Sequence, residues 1–236
     1  GNIHLTKVDS EYPDNKLTGA AFEVYKDSNA NGKLDDGDEL LGTLTEKEKG
    51  EYSMNDLFHG HYFVKETKAP EGFVLDTGVS EVMIDTNGKT YEVENKAGVG
   101  FVNDAMRGNL KIVKTSSDGK VKGFAFRITG ANGYDIILET NDKGEIFIDG
   151  LRIGDYTISE VSNSASSMYV LPADKKATVK LGSTTIVEMH NVLRDTPKTG
   201  DTTNLPLLYT LVGLSAVGIA VCGVVGFKKK KKEDRN

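Results

Sequence analysis

The chain has 236 residues, 35 of them Asp or Glu against 29 Lys or Arg, with one cysteine and no tryptophan. Its net charge is −6, and because residues 228–236 carry +4, the rest carries −10. So acidic a body is a poor partner for nucleic acid or anionic lipid, and the single cysteine, Cys222, excludes a disulfide framework.

In chain order, residues 1–193 read as β-structure. Short alternating runs are punctuated by Asn31-Gly32, Asn87-Gly88, Asp118-Gly119, Asn132-Gly133 and Asp149-Gly150. Strands at this spacing predict an all-β fold of sandwiches. No long segment before the C-terminal apolar run has helical periodicity. Within the first turn region, Asp27, Asn29, Asn31, Asp35 and Asp38 stand at positions 1, 3, 5, 9 and 12 of a loop. Gly32 is at position 6, and Lys33 can offer its carbonyl at position 7. This spacing resembles an EF-hand type calcium loop, closed by Asp instead of Glu; the alternative is a solvated acidic hairpin tip. His59 and His61 fall on one strand face without a third ligand and read as exposed histidines.

The β region repeats itself. Ile3-His4-Leu5-Thr6-Lys7 recurs as Leu110-Lys111-Ile112-Val113-Lys114, and Gly19-Ala20-Ala21-Phe22 as Gly123-Phe124-Ala125-Phe126. Leu57, Gly60, Tyr62 and Glu66 recur at the same spacing as Leu151, Gly154, Tyr156 and Glu160. Two domains are therefore expected, 1–104 and 105–193, with a short hinge near Asp104–Arg107.

Period-two alternation exposes a second regularity. Ile3, Leu5 and Lys7 share a face, as do Tyr62, Val64 and Glu66, and Val99, Phe101 and Asn103. The second copy has Leu110, Ile112, Lys114; Tyr156, Ile158, Glu160; and Val187, Met189, Asn191. Each triple ends in a polar residue on an apolar face, and a buried charge needs a partner. Asn95, on the apolar side of Tyr91 and Val93, is a second asparagine of this kind in the first copy. One explanation is a buried Lys–Glu ion pair capped by Asn, which adds little net stability.

The C-terminus has three parts: Thr196-Pro197-Lys198-Thr199-Gly200 within a linker of 194–204, an apolar run over 205–227, and a basic tail over 228–236 beginning with five lysines. The run is long enough for one transmembrane helix, and the lysines place the tail on the cytoplasmic side. Everything before the run is then outside.

This tail resembles the Leu-Pro-x-Thr-Gly sorting signal of Gram-positive cell-wall proteins, with Thr196 in place of Leu. The resemblance implies that a sortase cuts between Thr199 and Gly200 and joins Thr199 to an amine of peptidoglycan or of a pilin. The body resembles the Cna B-type, SpaA-like or prealbumin-like domains of Gram-positive adhesins and pilins. Its signature is Tyr62-Phe63-Val64-Lys65-Glu66-Thr67-Lys68-Ala69-Pro70-Glu71-Gly72-Phe73; the second copy keeps Gly154, Tyr156 and Glu160 but has Asn163-Ser164-Ala165-Ser166 at the end. What this implies is an intramolecular isopeptide bond in each domain, Lys7 to Asn103 (with Asn95 the rival acceptor) and Lys114 to Asn191, assisted by Glu66 and Glu160. Burial favours a neutral, nucleophilic lysine and a protonated glutamic acid that can polarise the Asn carbonyl and relay protons.

The expected function is a structural stalk anchored in the cell wall from a membrane-inserted precursor. A pilin subunit or an adhesin with a host surface ligand is the alternative, and so is the anchor module of a larger secreted enzyme. No Ser/His/Asp set, cysteine nucleophile or phosphate loop occurs, so the only catalysis expected is single-turnover bond formation. Export of such a tail requires a leader, and Gly1 begins without one, so an upstream segment is expected.

Overall fold

A computed structural model describes residues 1–195. The sorting pentapeptide, the apolar run and the basic tail lie outside the described residues. Among the described residues no helix is long and apolar enough to cross a membrane. The described chain is all β, apart from one 3-10 turn at Ala131–Gly133.

The first nine strands form two sheets. They are β1 (Asn2–Asp9), β2 (Ala21–Lys26), β3 (Glu39–Thr43), β4 (Thr45–Glu48), β5 (Glu51–Met54), β6 (Gly60–Lys68), β7 (Val79–Ile84), β8 (Thr90–Glu92) and β9 (Phe101–Asn103). One sheet has the order β4-β5-β1-β8, with β9 also on β1; the other is β3-β2-β6-β7. Ile3, Leu5, Phe22, Val24, Tyr52, Tyr62, Val64 and Phe101 fill the space between them, all almost wholly buried. Their alternation is what one apolar sheet face requires.

The second set is β10 (Arg107–Ser116), β11 (Ala125–Thr129), β12 (Asp135–Glu139), β13 (Glu145–Arg152), β14 (Gly154–Val161), β15 (Tyr169–Val170), β16 (Lys175–Val179) and β17 (Thr184–Leu193). Its sheets are β13-β10-β17-β15 and β12-β11-β14-β16. Leu110, Ile112, Phe124, Phe126, Ile128, Ile158 and Met189 form its core.

In both sets the first and last strands are parallel neighbours. β10 pairs with β17 without a break from Asn109↔Thr184 to Ser116↔Asn191. In the first set the last strand is interrupted: β8 pairs with the start of β1, the chain leaves over 93–100, and β9 resumes beside Lys7–Asp9. Val99, expected in strand, therefore lies in this excursion, where its N–H donates to the Lys96 carbonyl.

Two turn readings change. Asp149-Gly150 lies inside β13, not between strands, and forms a bulge where the register against β10 shifts; Gly150 has φ +65°. Asn87-Gly88 and Asp118-Gly119 carry the chain from one sheet to the other, so neither closes a hairpin.

The segment between the two sets is braced on both sides. Ala105 forms an antiparallel bridge with Phe73, the Met106 N–H donates to the Gly72 carbonyl, and the Ile153 N–H donates to the Met106 carbonyl. The signature end Pro70-Glu71-Gly72-Phe73 thus lies against the connector, and what reads as a hinge is a hydrogen-bonded strip.

Candidate functional site

Each domain buries one Lys, one Glu and one Asn. Lys7, Glu66 and Asn103 are 0%, 1% and 3% exposed, and Lys114 and Asn191 are as deeply buried, with Glu160 at 8%. The placement follows from topology. Lys7 (β1) and Asn103 (β9) lie on adjacent parallel strands of one sheet, and Glu66 (β6) faces them from the other. Lys114, Asn191 and Glu160 occupy β10, β17 and β14 in the same relation. The register repeats as well: Lys7 is opposite Phe101 and Lys114 opposite Met189, so each asparagine lies two residues beyond its lysine's partner, on the same face.

In the first domain Lys7 Nζ is 3.8 Å from Glu66 Oε1 and donates to the Phe101 carbonyl at 3.0 Å. The Asn103 amide nitrogen donates to Glu66 Oε2 at 2.7 Å and to the Val74 carbonyl at 2.5 Å. The Asp76 N–H also donates to Glu66 Oε2, at 2.8 Å. Glu66 Oε1 and Asn103 Oδ1 have no hydrogen-bond partner, an expensive state for buried oxygens. Glu66 therefore bridges the lysine amine and the nitrogen that would leave. Carbonyl polarisation would require the amide reversed, setting its oxygen against the Val74 carbonyl. The geometry suits a proton relay better.

The second domain differs in detail. Asn191 Nδ2 donates to Glu160 Oε1 at 2.6 Å, leaving Glu160 Oε2 and Asn191 Oδ1 without partners. Lys114 Nζ donates to the Thr115 carbonyl and lies 4.1 Å from the centre of the Phe124 ring. Among the described residues no ion pair within 4.0 Å joins Lys114 to Glu160.

The electrostatics suit nucleophilic chemistry. Burial pulls the Lys7 amine down to about 8, with the charges of Glu66, Asp76 and Asp9 opposing the shift. Burial likewise lowers Lys114, against Glu160 and Asp118. It raises Glu160, against the Asn191 hydrogen bond and the Lys114 charge.

Asn95 is placed elsewhere. It is exposed in the 93–100 excursion, where its amide nitrogen donates to Asp76 and to the Val102 carbonyl and its oxygen accepts from the Val102 N–H.

Several contributors escaped the sequence reading. The backbone N–H of Lys7 donates to the Gly50 carbonyl and that of Lys114 to the Gly144 carbonyl, each at 2.7 Å. Both glycines have φ above +70°, and a Cβ at Gly144 would come within 2.7 Å of the Lys114 carbonyl. Asp9, two residues after Lys7 on the same buried face, is 0% exposed. Its partner is Arg152, at 2.5 and 2.7 Å through both terminal nitrogens. A close comparison of the repeats would have found the glycines, since each lies at a turn opposite its lysine. Nothing in the sequence pairs Asp9 with Arg152.

The acidic loop is closed upon itself. The Asn31 and Gly32 N–H groups donate to Asp27, the Asn29 and Asn31 amides to Asp35, and the Ser28 and Asp35 N–H groups to Asp38. Lys33 donates its N–H to Asn31 Oδ1. A hydrogen bond with His61, foremost, holds the Asp27 carboxyl below its ordinary range, and the Gly37 N–H does so for Asp35. Among the described residues no three His, Cys, Asp or Glu side chains gather as a metal would need; the loop set also draws on two amides and a carbonyl. His61 is not an exposed histidine: its Nδ1 lies 2.9 Å from Asp27 Oδ2 and its side chain is 18% exposed. His59 lies just before β6, not on it.

Two sandwiches, each with its first and last strands paired in parallel and a buried Lys–Glu–Asn set, define a tandem prealbumin-like protein. The family model for SpaA, the prealbumin-like fold domain, matches residues 1–97 and 108–192. The chain belongs to this family, in two copies. Among solved structures, the Bacillus anthracis TIE protein matches at 23% identity and a TM-score of 0.58, covering 82% of this chain and 34% of that one. The minor pilin GBS52 of Streptococcus agalactiae matches at 19% identity and a TM-score of 0.39, covering 84% and 98%. The shaft pilin SpaA of Lactobacillus rhamnosus GG matches at 13% and 0.33, covering 82% and 97%. No curated protein matches. This chain spans about a third of the length of the TIE protein.

Proposed function

We propose that this chain is a load-bearing stalk segment of a Gram-positive surface protein, its two domains each closed by a Lys–Asn isopeptide bond. The observation that carries the reading is the duplicated set itself: amine, carboxyl and amide, buried together at the same strand register. Lys7 Nζ attacks Asn103 Cγ, the Cγ–Nδ2 bond breaks, and ammonia leaves. Glu66 takes the amine proton and returns one to the departing nitrogen. No oxidant or cofactor is consumed. Folding supplies the encounter of amine and amide that free groups in water lack. Glu160 serves Lys114 and Asn191 in the same way.

The tail over 194–236 fits the stalk as a sortase substrate: Thr199 joined to a wall amine, the span and lysines holding the precursor in the membrane meanwhile. The test of the central reading is intact mass. Each bond removes one ammonia, so the matured chain lacks two, and an unmodified mass in folded protein would refute it.

We also propose that the 27–38 loop binds calcium. The Asp27 and Asp35 carboxyls are held low and would be charged at neutral pH, and Gly32 takes the positive φ (+72°) that such a turn needs. Asp27, Asn29, Asn31, Lys33 (by its carbonyl), Asp35 and Asp38 would hold the ion.

A pilin subunit is the second reading, favoured by the family. Boiling wall extracts in detergent separates the two: a ladder of covalent multimers marks the pilin and a single species the stalk.

A further inference from the structure

The contact between the two domains converges on Asp9. Arg152, at the end of β13, reaches across and grips both Asp9 oxygens, while its Nε and Nη2 also donate to Glu11 Oε2 at 3.1 and 2.8 Å. Its guanidinium lies 4.8 Å from the Tyr12 ring centre. Arg107, also from the second domain, pairs with Glu11. Asp9 turns its chain as well, accepting the Glu11 and Tyr12 N–H groups. In the β1–β9 ladder Asp9 lies directly opposite Asn103. A charge-assisted bidentate pair of this kind is strong and geometrically specific, and one partner alone would be a costly buried charge.

We propose that Arg152 is a positioning residue for the first-domain crosslink. By pairing with Asp9, it offsets the counter-charge that Asp9 presents to Lys7 and that would otherwise hold the amine protonated and unreactive. The first bond then closes efficiently only when the second domain is folded and docked, whether or not the Lys114–Asn191 bond has formed. The inference rests on the crosslink reading above. Lys7 is also faced by Glu66 from β6 and by Asp76 from the loop after β6, and neither touches Arg152. Glu11 and Arg107 complete the charges around the clamp, and an unpaired Asp9 is the change that Arg152 loss brings nearest to the amine.

The experiment follows closure in the full chain. Unreacted protein recovered in urea is diluted into mild detergent at a series of pH values, quenched at intervals, and each bond is scored by peptide mass. In the wild type the first bond forms with a rate that rises with pH to a plateau. In Arg152→Met the midpoint of that rise moves up by about one pH unit, and closure at neutral pH slows about tenfold, because the neutral amine falls tenfold per unit. Arg152→Lys recovers much of the rate. Asp9→Asn/Arg152→Met returns the midpoint to the wild-type value, which a merely destabilised fold would not do. The Lys114–Asn191 bond keeps its own rate throughout. An unchanged midpoint in Arg152→Met, or a shift that persists in the double variant, overturns the proposal. Absence of first-domain ammonia loss in the wild type itself overturns the crosslink reading instead.

Discussion

Lys7 Nζ stands 3.8 Å from Glu66 Oε1 in the space between two sheets, and neither side chain has any exposure to water. Glu66's other oxygen already holds Asn103 and the Asp76 N–H. Lys114 makes no such approach to Glu160 and turns instead to the carbonyl of Thr115. The two domains therefore share a register but differ in how nearly the groups are poised.

That difference predicts an order of efficiency. Both bonds should form, with the first complete sooner. Intact and peptide masses should show Glu66→Ala, Lys7→Ala or Asn103→Ala restoring one ammonia, and Glu160→Ala, Lys114→Ala or Asn191→Ala the other. By analogy with a covalent link closing a loop of about 100 residues, losing the first bond should cost about 4–5 kcal/mol. Calorimetry should then find the first domain melting roughly 20 °C or more lower.

A pH dependence follows for a chain that cannot close. In Asn103→Ala the Lys7 amine remains, titrating near 8 when folded and near its ordinary 10.5 when unfolded. Between these values the unfolded chain binds more protons. Stability therefore rises as pH climbs through that window, and the penalty is fully present below it. The gain should be roughly 3 kcal/mol. Urea denaturation at neutral and alkaline pH checks this, with Lys7→Met/Asn103→Ala as the control that shows no such gain.

The glycine behind each lysine should be intolerant of a side chain. Gly144→Ala places a Cβ against the Lys114 carbonyl and forces a left-handed residue, so a loss of about 1–3 kcal/mol is expected. Closure of the Lys114–Asn191 bond should slow with it. Peptide mass during refolding reads both domains, and the first should be unaffected.

Calcium should raise the melting temperature of the first domain and protect the chain near Asn31 from protease, with half-saturation around 10⁻⁴ to 10⁻³ M. Asp27→Ala should abolish both. Identical melts with chelator and with millimolar calcium would reduce the loop to a turn.

Wall attachment should depend on Thr199. With Thr199→Ala, or with Lys228–Lys232 removed, fractionation should find the protein in membrane or medium. Attachment that survives Thr199→Ala removes the sorting proposal.

Much of the site was legible in the sequence because a sandwich has period two: a polar residue closing an apolar alternation has to face the core. Lys7, Glu66, Asn103 and their second-domain counterparts were found this way. Asn95 has the same pattern, but the chain leaves the sheet after Glu92, and a local alternation does not report that the strand is broken. Asp149-Gly150 looks like a hairpin turn for a related reason, since a bulge and a turn both use a left-handed glycine. Asp9 was invisible: its partner is 143 residues away. His61 looked exposed because its partner, Asp27, comes from a different strand connection.

The parallel pairing of β1 with β9, and of β10 with β17, has a mechanical consequence. Tension on the chain enters at the start of the first strand and leaves beyond the end of the last, at opposite ends of the pair. The ladder between them is thus pulled in shear, its rungs stressed together, where an antiparallel pair drawn from one end would unzip. With an Nζ–Cγ bond between Lys7 and Asn103, the pull would pass from β1 straight into the connector at Asp104. Residues 8–102 would then hang beside the path of the force as an unstressed loop. The same shunt from Lys114 to Asn191 would leave a tether of fixed length, able to transmit a tug without lengthening by a domain.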